Sequence, residues 1–349
     1  MEVRLANETD KQAWDDYVLR HRNGLAYQMY AWKEATERAY GFQTVYSMAI
    51  EDGKVCGVLP TVDFRVPLMG RSLISLPYCD AGGILADHEN AAEKLLVHAR
   101  VRAKAMNACL KIRSIGEIKG CGVNRTDKVS MVLALPHSSN DLLASLKAKV
   151  RSQCHKPLRD GLAVKTGHIE LLDDFYGVFT ENMRNLGSPV HARHWFEKVL
   201  YAYGDRSRVI VVDTPEGEPA AAGLILLHPR RVSIPWASSL RRYNRLNPNM
   251  LLYWSCLAFA ADNGYPQFDF GRSTPGEGTY RFKEQWGAKP LPLYWYEPLT
   301  AKMEKMDSKR PTADGKPSSK RQLAASIWQK LPQSGTDWLG PKVRKYISL

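Results

Sequence analysis

Strand-sized and helix-sized segments alternate twice along the 349-residue chain, and this alternation restricts its fold more than any other feature. Thr44–Ile50 and Lys54–Val66 are rich in β-branched residues and flank a tight turn at 51–53, which is typical of a hairpin. Asn90–Asn107 instead repeats apolar residues every three or four positions, which predicts an amphipathic helix. The mixture predicts an α+β protein and excludes a coiled coil or a disordered chain.

The same order of patterns recurs in the second part of the chain, which predicts two successive α+β units at 1–137 and 138–300. The second unit has strand patterns at Arg208–Val212, Ala220–His228 and Val232–Ala237, an arrangement typical of a meander. Two units also agree with the length, because domains usually hold about 100–200 residues.

The chain changes in composition after residue 300. Residues 301–325 are rich in Lys, Arg, Pro, Ser and Gly, which predicts a flexible linker. Residues 326–349 regain apolar side chains such as Trp328 and Trp338, which predicts a short amphipathic C-terminal element. From the sequence alone, this element can dock on the body of the protein, on a partner protein or on a membrane surface.

The net charge is +13, from 49 Lys and Arg against 36 Asp and Glu. Residues 301–349 hold 11 basic and four acidic residues, so more than half of the excess lies there. The remaining positive charge, in residues 1–300, favours anionic partners.

The basic run Lys147–Arg159 either meets phosphates or forms a solvated helix face. It lacks interleaved aromatic residues, so no sequence-specific DNA binding is expected.

The N-terminus lacks the apolar core of a signal peptide, and no run approaches the ~20 apolar residues of a membrane-spanning helix. The sequence therefore predicts a cytoplasmic protein, with a peripheral contact at the inner membrane open to its C-terminal element. The six cysteines form no CxxC pair and no metal-ligand spacing. We expect no metal site and no permanently bound cofactor.

Phe268–Gly287 is the most informative segment, because a predicted strand runs through a loop with three glycines into a predicted helix. Backbone N–H groups of such a loop, together with a helix N-terminus, favour an anion; the alternative is a structural turn. The loop has neither a Gly-Lys-Ser/Thr sequence nor the third glycine of a dinucleotide fingerprint. The candidate substrate-binding residues in this segment are Arg272, Ser273, Gly276, Gly278, Tyr280 and Phe282, with Lys283 as a further cation.

Two further loops follow predicted strands. Leu76–Ile84 contains Tyr78, Asp80 and a pair of glycines; Asp80 either takes a proton or holds an amine, or it bonds to its own turn. Ser238 and Asn249 flank a polar loop before a predicted helix, where they either line a site or form an ordinary connection.

Taken together, these segments resemble the FemAB family, in particular its branch associated with exosortase and exopolysaccharide systems. The resemblance spans about residues 1–300, and the order and spacing of the motifs make it more specific than any single motif. The segments that carry it are Leu76–Gly83, Lys149–Leu162, Asn185–His191, Trp236–Ser239, Pro248–Tyr253 and, most specifically, Phe268–Gly287.

The resemblance implies two tandem GNAT-like domains, each a mixed, mostly antiparallel sheet flanked by helices. Fem enzymes move an amino acid from aminoacyl-tRNA to an amine of a peptidoglycan precursor. Phe282-Lys283 lies on their Phe-Lys motif, whose lysine is proposed to stabilise the transition state. Asp80 matches an acidic residue of a first-domain loop and is the expected base or amine holder, with Tyr78 as a positioning residue and Arg272 as the holder of an anionic group.

Two departures leave the donor open between aminoacyl-tRNA and acyl-CoA. Fem enzymes tend to show Trp-x-x-x-Lys near the N-terminus, whereas Trp32 is followed by Thr36 here. The acyl-CoA signature of typical GNAT enzymes is also absent. We therefore expect an acyltransferase or aminoacyltransferase acting on a peptidoglycan peptide or an exopolysaccharide amino sugar. The alternatives are an acyl-CoA-dependent N-acyltransferase of exopolysaccharide biosynthesis and a non-catalytic scaffold of such a system.

Overall fold

The computed structural model describes residues 1–119, 121, 123–125, 127–297 and 319–349. The strands in this part of the chain are β1 (Glu2–Leu5), β2 (Ser47–Glu51), β3 (Lys54–Leu59), β4 (Val62–Val66), β5 (Gly70–Ile74), β6 (Leu85–Ala86), β7 (Cys109–Ser114), β8 (Val123–Arg125), β9 (Val129–Ala134), β10 (Ala163–Gly167), β11 (Ser207–Asp213), β12 (Pro219–His228), β13 (Arg231–Ser239), β14 (Gln267–Ser273), β15 (Lys289–Pro292) and β16 (Tyr294–Glu297). The α-helices are α1 (Lys11–Arg20), α2 (Tyr30–Tyr40), α3 (Glu89–Ala105), α4 (Ser139–Ser145), α5 (Ala148–Arg159), α6 (Leu172–Asn185), α7 (Arg193–Tyr203), α8 (Pro248–Asp262), α9 (Gly278–Glu284), α10 (Ser319–Lys330) and α11 (Gln333–Arg344).

The described strands form mixed, mostly antiparallel sheets, as expected. A four-stranded sheet has the order β1-β2-β3-β6, a five-stranded sheet the order β4-β5-β7-β16-β8, and a seven-stranded sheet the order β10-β11-β12-β13-β14-β9-β15. Parallel pairing joins β5 to β7 and β13 to β14. Parallel neighbours need a crossover connection, which α3 supplies in the first case and α8 in the second. Each part of the chain thus contains one crossover unit.

Two extended segments are each divided between two sheets. The predicted strand Lys54–Val66 becomes β3 and β4, with Pro60 between them, and residues 289–297 form β15 and β16, with β15 ending at Pro292. Proline has no N–H for a ladder hydrogen bond, so a strand that reaches it loses pairing and can turn into another sheet.

The chain also exchanges strands between its two parts. Strand β9 falls within the predicted first unit, 1–137, but it lies in the seven-stranded sheet between β14 and β15. In return, β16 pairs with β7 in the five-stranded sheet. Most of β9 is buried, as a central strand requires, which explains why it does not form an edge of the first unit. The domain limits at 137 and 300 stay predictions.

The basic run Lys147–Arg159 is helical in spite of Pro157. Helix α4 ends at Ser145, and α5 begins at Ala148 and continues to Arg159. Pro157 lies in the last turn of α5, where a proline disturbs fewer later hydrogen bonds than in a helix centre.

One hydrophobic core joins the two parts of the chain. Trp32 of α2 packs edge-on against Trp195 of α7 at a centroid distance of 5.3 Å, and it stacks on Trp236 of β13 at 6.2 Å. All three side chains are buried. This shared core holds the first-unit loop at 76–84 against the second unit.

The C-terminal element docks on the body of the protein. Helices α10 and α11 pack against α6, where Arg184 Nε donates to the carbonyl of Leu331 at 3.0 Å. Residues 319–325 lie in α10, so this part of the predicted linker is helical. The remainder of the predicted linker, 301–318, lies outside the described residues. The regained apolar side chains give the segment a face to bury, which the linker composition before it lacks.

Candidate active site

The site begins where β13 and β14 stop pairing. Their parallel register covers only Val232 with Phe268 and Ser233 with Asp269. On its other side, β14 pairs with β9 from Gln267 to Ser273, with a register shift between Asp269 and Arg272, where Gly271 has a φ of 75°. A positive φ of this size suits glycine and bends the strand. The two strands therefore part beyond Ser233 and Asp269.

Lys283 of α9 reaches back to this bend. Its Nζ donates to the carbonyl oxygens of Gly271 at 2.9 Å and Arg272 at 2.8 Å. The residue is only 7% exposed, and burial lowers the pKa of the ammonium to about 8. Two of its three protons are used by the protein, so one N–H remains for a ligand.

Asp269 supports the same bend from inside, and the sequence did not single it out. Its Oδ1 accepts hydrogen bonds from Ser130 Oγ at 2.5 Å and from the Gly271 N–H at 2.8 Å. Burial raises the pKa of this carboxyl. The available signal was an acidic residue between two phenylalanines in Phe268-Asp269-Phe270, because an acid in a buried strand needs partners.

Asp80 approaches the bend from the first unit. Its Oδ2 accepts from the Arg272 N–H at 3.2 Å, and its Oδ1 lies 3.5 Å from the Arg272 guanidinium. The Asp80 carbonyl accepts from Trp295 Nε1 at 3.0 Å, which fixes the loop. The Arg272 guanidinium lies 5.3 Å from the Trp295 ring centroid. The structure thus brings together Asp80, Arg272 and Lys283, and the side chains of Asp80 and Arg272 remain about one-third exposed.

Tyr78 lies in the same loop with a positive φ of 70°, and its ring is buried. Its ring packs edge-on against His191 at 4.6 Å. Burial raises the pKa of its hydroxyl far above the usual range. Its hydrogen-bonding groups contact the C-terminal segment rather than Asp80.

The other predicted site residues fall into two groups. Ser273 and Gly278 lie at the bend and at the start of α9, and Gly276 forms the turn between them with a φ of 83°. The rest contact the protein interior or a neighbouring helix. Phe282 packs against Tyr253 at 5.0 Å, Tyr280 packs on the same core, Ser238 Oγ accepts from Asn182 at 3.1 Å, and Asn249 lies in the first turn of α8.

A cavity of about 710 Å³ opens on the other side of the 76–84 loop. Gly82, Gly83 and Gln267 line it, whereas Asp80 and Lys283 do not. Arg231 connects the two places: its guanidinium donates to Gln267 Oε1 at 2.8 and 3.0 Å and lies 3.8 Å from Asp269 Oδ2. The charged residues along the wall are Arg22, Arg100, Lys119, Arg230 and Arg231 against Glu89, Glu93 and Glu117.

Among the described residues, Glu51, Cys56 and His88 place ligand-type atoms within 4.8 Å of one another. The His88 Nδ1 accepts the N–H of Ala91 at the start of α3, which leaves Nε2 as the protonated nitrogen facing Glu51. A protonated nitrogen does not ligate a metal, so this cluster is better described as a helix cap.

Comparisons with known proteins identify the fold. Residues 145–284 match the family described as Acetyltransferase (GNAT) domain. The chain is similar to the structure of FemX, with 17% identity, a TM-score of 0.68 and coverage of 88% of this chain and 99% of that one. The chain has a FemAB-like GNAT fold. No curated protein matches the sequence.

Two further structures share this FemAB-like GNAT fold. One is the C-terminal domain of a putative lysylphosphatidylglycerol synthetase from Agrobacterium fabrum, with 15% identity, a TM-score of 0.59 and coverage of 87% and 97%. The other is a tandem GNAT protein from the clavulanic acid biosynthesis pathway, with 12% identity, a TM-score of 0.51 and coverage of 86% and 100%.

The tandem GNAT-like fold and the expectation of an acyltransferase are thereby confirmed at this general level. In the described part of this GNAT-like chain, no helix combines the length and the apolar character needed to cross a bilayer.

Proposed function

We propose that the chain is a transferase that moves an acyl or aminoacyl group onto an amine of a cell-envelope precursor. The observation that carries this proposal is that Asp80 and Lys283, one from each unit, both bond to the backbone of Arg272, close to where β13 and β14 part. The likeness to FemX and to the lysylphosphatidylglycerol synthetase domain supports transfer of an aminoacyl group.

Acyl transfer to an amine has three requirements that these residues can meet. The reactants must be held together, the ammonium must lose a proton, and the tetrahedral oxyanion must be stabilised. Asp80 takes the proton from the acceptor ammonium, because its carboxylate is partly exposed and fixed by the Arg272 N–H. The free amine then attacks the donor carbonyl carbon.

Lys283 is the proposed oxyanion donor through its remaining N–H. As the tetrahedral intermediate collapses, the bond from the carbonyl carbon to the donor breaks. The leaving group, the ribose hydroxyl of a tRNA or the thiol of coenzyme A, takes up the second proton, which the attacking nitrogen loses as the amide forms. Arg272 is placed to hold an anionic part of either substrate. The basic cavity beside Gly82 and Gly83 is suited to a phosphate-bearing precursor.

An acyl-CoA donor is the alternative to aminoacyl-tRNA. The edge of β13 beyond Ser233 supports it, because its pairing with β14 ends there and an extended donor arm with amide groups can pair with an open strand edge. The likeness to the tandem GNAT protein also supports it, because AcCoA is the ligand named for that protein, whose structure was solved without it. A non-catalytic scaffold is the remaining candidate.

The test combines two donor classes, acyl-CoAs and aminoacyl-tRNAs, with peptidoglycan precursors and amino sugars as acceptors. Removing one oxyanion donor usually costs about 10²–10³ in rate. We therefore expect Lys283→Ala to lower turnover by that factor without unfolding the protein, as checked by its Tm. Lys289→Ala is the matched control, since Lys289 is an exposed lysine on the adjacent β15.

Full turnover in Lys283→Ala would rule out the assigned role. A scaffold predicts that no donor is used, that Lys283→Ala has no phenotype, and that loss of residues 326–349 abolishes the cellular function.

A further inference from the structure

The last residues of the chain lie on the loop that carries Tyr78 and Asp80. The Tyr78 N–H donates to the Ser348 carbonyl at 2.8 Å, and the Tyr78 hydroxyl donates to the Lys345 carbonyl at 2.6 Å. Arg113 donates to the Ser348 carbonyl at 3.0 Å and to its Oγ at 2.9 Å. We call residues 344–349 the strap, and Tyr40, Tyr78, Arg113 and His191 its seat.

Arg344 places a cation in this seat. Its guanidinium lies 5.4 Å from the Tyr78 ring centroid and donates to the carbonyl of Ile347. Among the described residues, no carboxylate forms an ion pair with it. Burying a cation without a carboxylate is costly, so aromatic faces provide much of its stabilisation.

Three of the four seat residues, Tyr40, Tyr78 and His191, have aromatic rings, and they come from both units. Tyr40 of α2 bonds to His191 Nδ1 through its hydroxyl at 2.6 Å, and its ring lies 5.5 Å from that of Tyr78. Aromatic faces are among the surroundings that recognise an ammonium group, and Tyr78 shares its loop with Asp80, two residues further on.

We propose that the strap is autoinhibitory: it covers the acceptor side of the site, and Arg344 occupies the position of a substrate ammonium. This inference rests on the proposed function, because it takes Tyr78 and Asp80 as parts of the acceptor site. The strap must leave before an ammonium-bearing acceptor can bind. A protein whose binding-competent form is only a fraction of the population shows an apparent affinity reduced by that fraction.

The test uses the full chain with the double substitution Arg344→Ala/Ser348→Ala. The first readout is hydrogen exchange of the Tyr78 amide, whose partner is the Ser348 carbonyl, and we expect it to rise at least tenfold. The second is the apparent KM for the acceptor, which we expect to fall at least threefold. Lys342→Ala is the matched control, since this exposed side chain of α11 contacts the Trp338 ring and not the seat.

Each outcome decides the inference. If exchange of the Tyr78 amide is unchanged, the strap is not held as described. If exchange is faster and the acceptor KM is higher, the strap completes the site. Either result overturns the proposal. If no donor supports turnover, the proposed function fails, and L-lysine amide then serves as the ammonium probe. Millimolar L-lysine amide should speed Tyr78 exchange in the unmodified chain, and no change would overturn the ammonium seat independently.

Discussion

At the scale of single residues, Lys283 has two properties that are normally in conflict: it is a cation and it is buried. Burial lowers the pKa of its ammonium to about 8, while the negative charges of Asp269 and Asp80 act in the opposite direction. If the ammonium form stabilises the oxyanion, turnover should fall as the pH rises through about 8. The measurement is kcat from pH 6 to 10.

Lys283→Arg should move this fall in kcat beyond pH 10, because a guanidinium stays protonated there. Asp269→Asn should move it to lower pH, because it removes a charge that favours the ammonium. If kcat falls at the same pH in the unmodified protein and in both variants, the titrating group is not Lys283. Lys289→Arg should leave the profile unchanged.

At the scale of elements, the bend in β14 connects Asp80, Asp269 and Lys283. Gly271 has a φ of 75° there, and an added Cβ would lie 3.8 Å from Asp80 Oδ2. Gly271→Ala should lower the free energy of unfolding by about 1–2 kcal/mol, the usual cost of the left-handed region for a residue with a Cβ. It should also lower turnover at least tenfold, because the backbone that holds Lys283 and Asp80 moves.

Gly264→Ala separates these two effects. Gly264 has a φ of 76° and nothing within 4 Å of an added Cβ, so it should show a similar loss of stability by urea unfolding and unchanged turnover. Equal turnover in both variants would show that the bend is not needed for the reaction.

At the scale of the whole molecule, the shared core makes the two units depend on each other. Trp32 and Trp195 are fully buried against each other across the junction. We expect one calorimetric unfolding transition, and Trp195→Ala should destabilise the protein by about 3–5 kcal/mol while keeping that transition single. Trp338→Ala should have little effect, since Trp338 is 67% exposed. Two separate transitions would contradict a common core.

The sequence predicted what depends on local pattern and missed what depends on contacts between distant segments. The helix α3 follows from apolar spacing, and the β12–β13 hairpin follows from its strand patterns. Lys283 and Asp80 could be singled out as candidates because their motifs are contiguous. The bond between Asp269 and Ser130 joins residues 139 positions apart, and no local pattern encodes it. The contacts of the strap with Tyr78 are hidden for the same reason.

The strand exchange has a consequence for how the protein is made. The five-stranded sheet needs β16, and β16 ends at Glu297, so the first unit cannot complete its hydrogen bonding until most of the chain has left the ribosome. Until then, β7 exposes an edge that is open to wrong partners. A nascent chain stopped at residue 137 should therefore need a chaperone or aggregate, and dividing the gene there should not give two independently soluble halves.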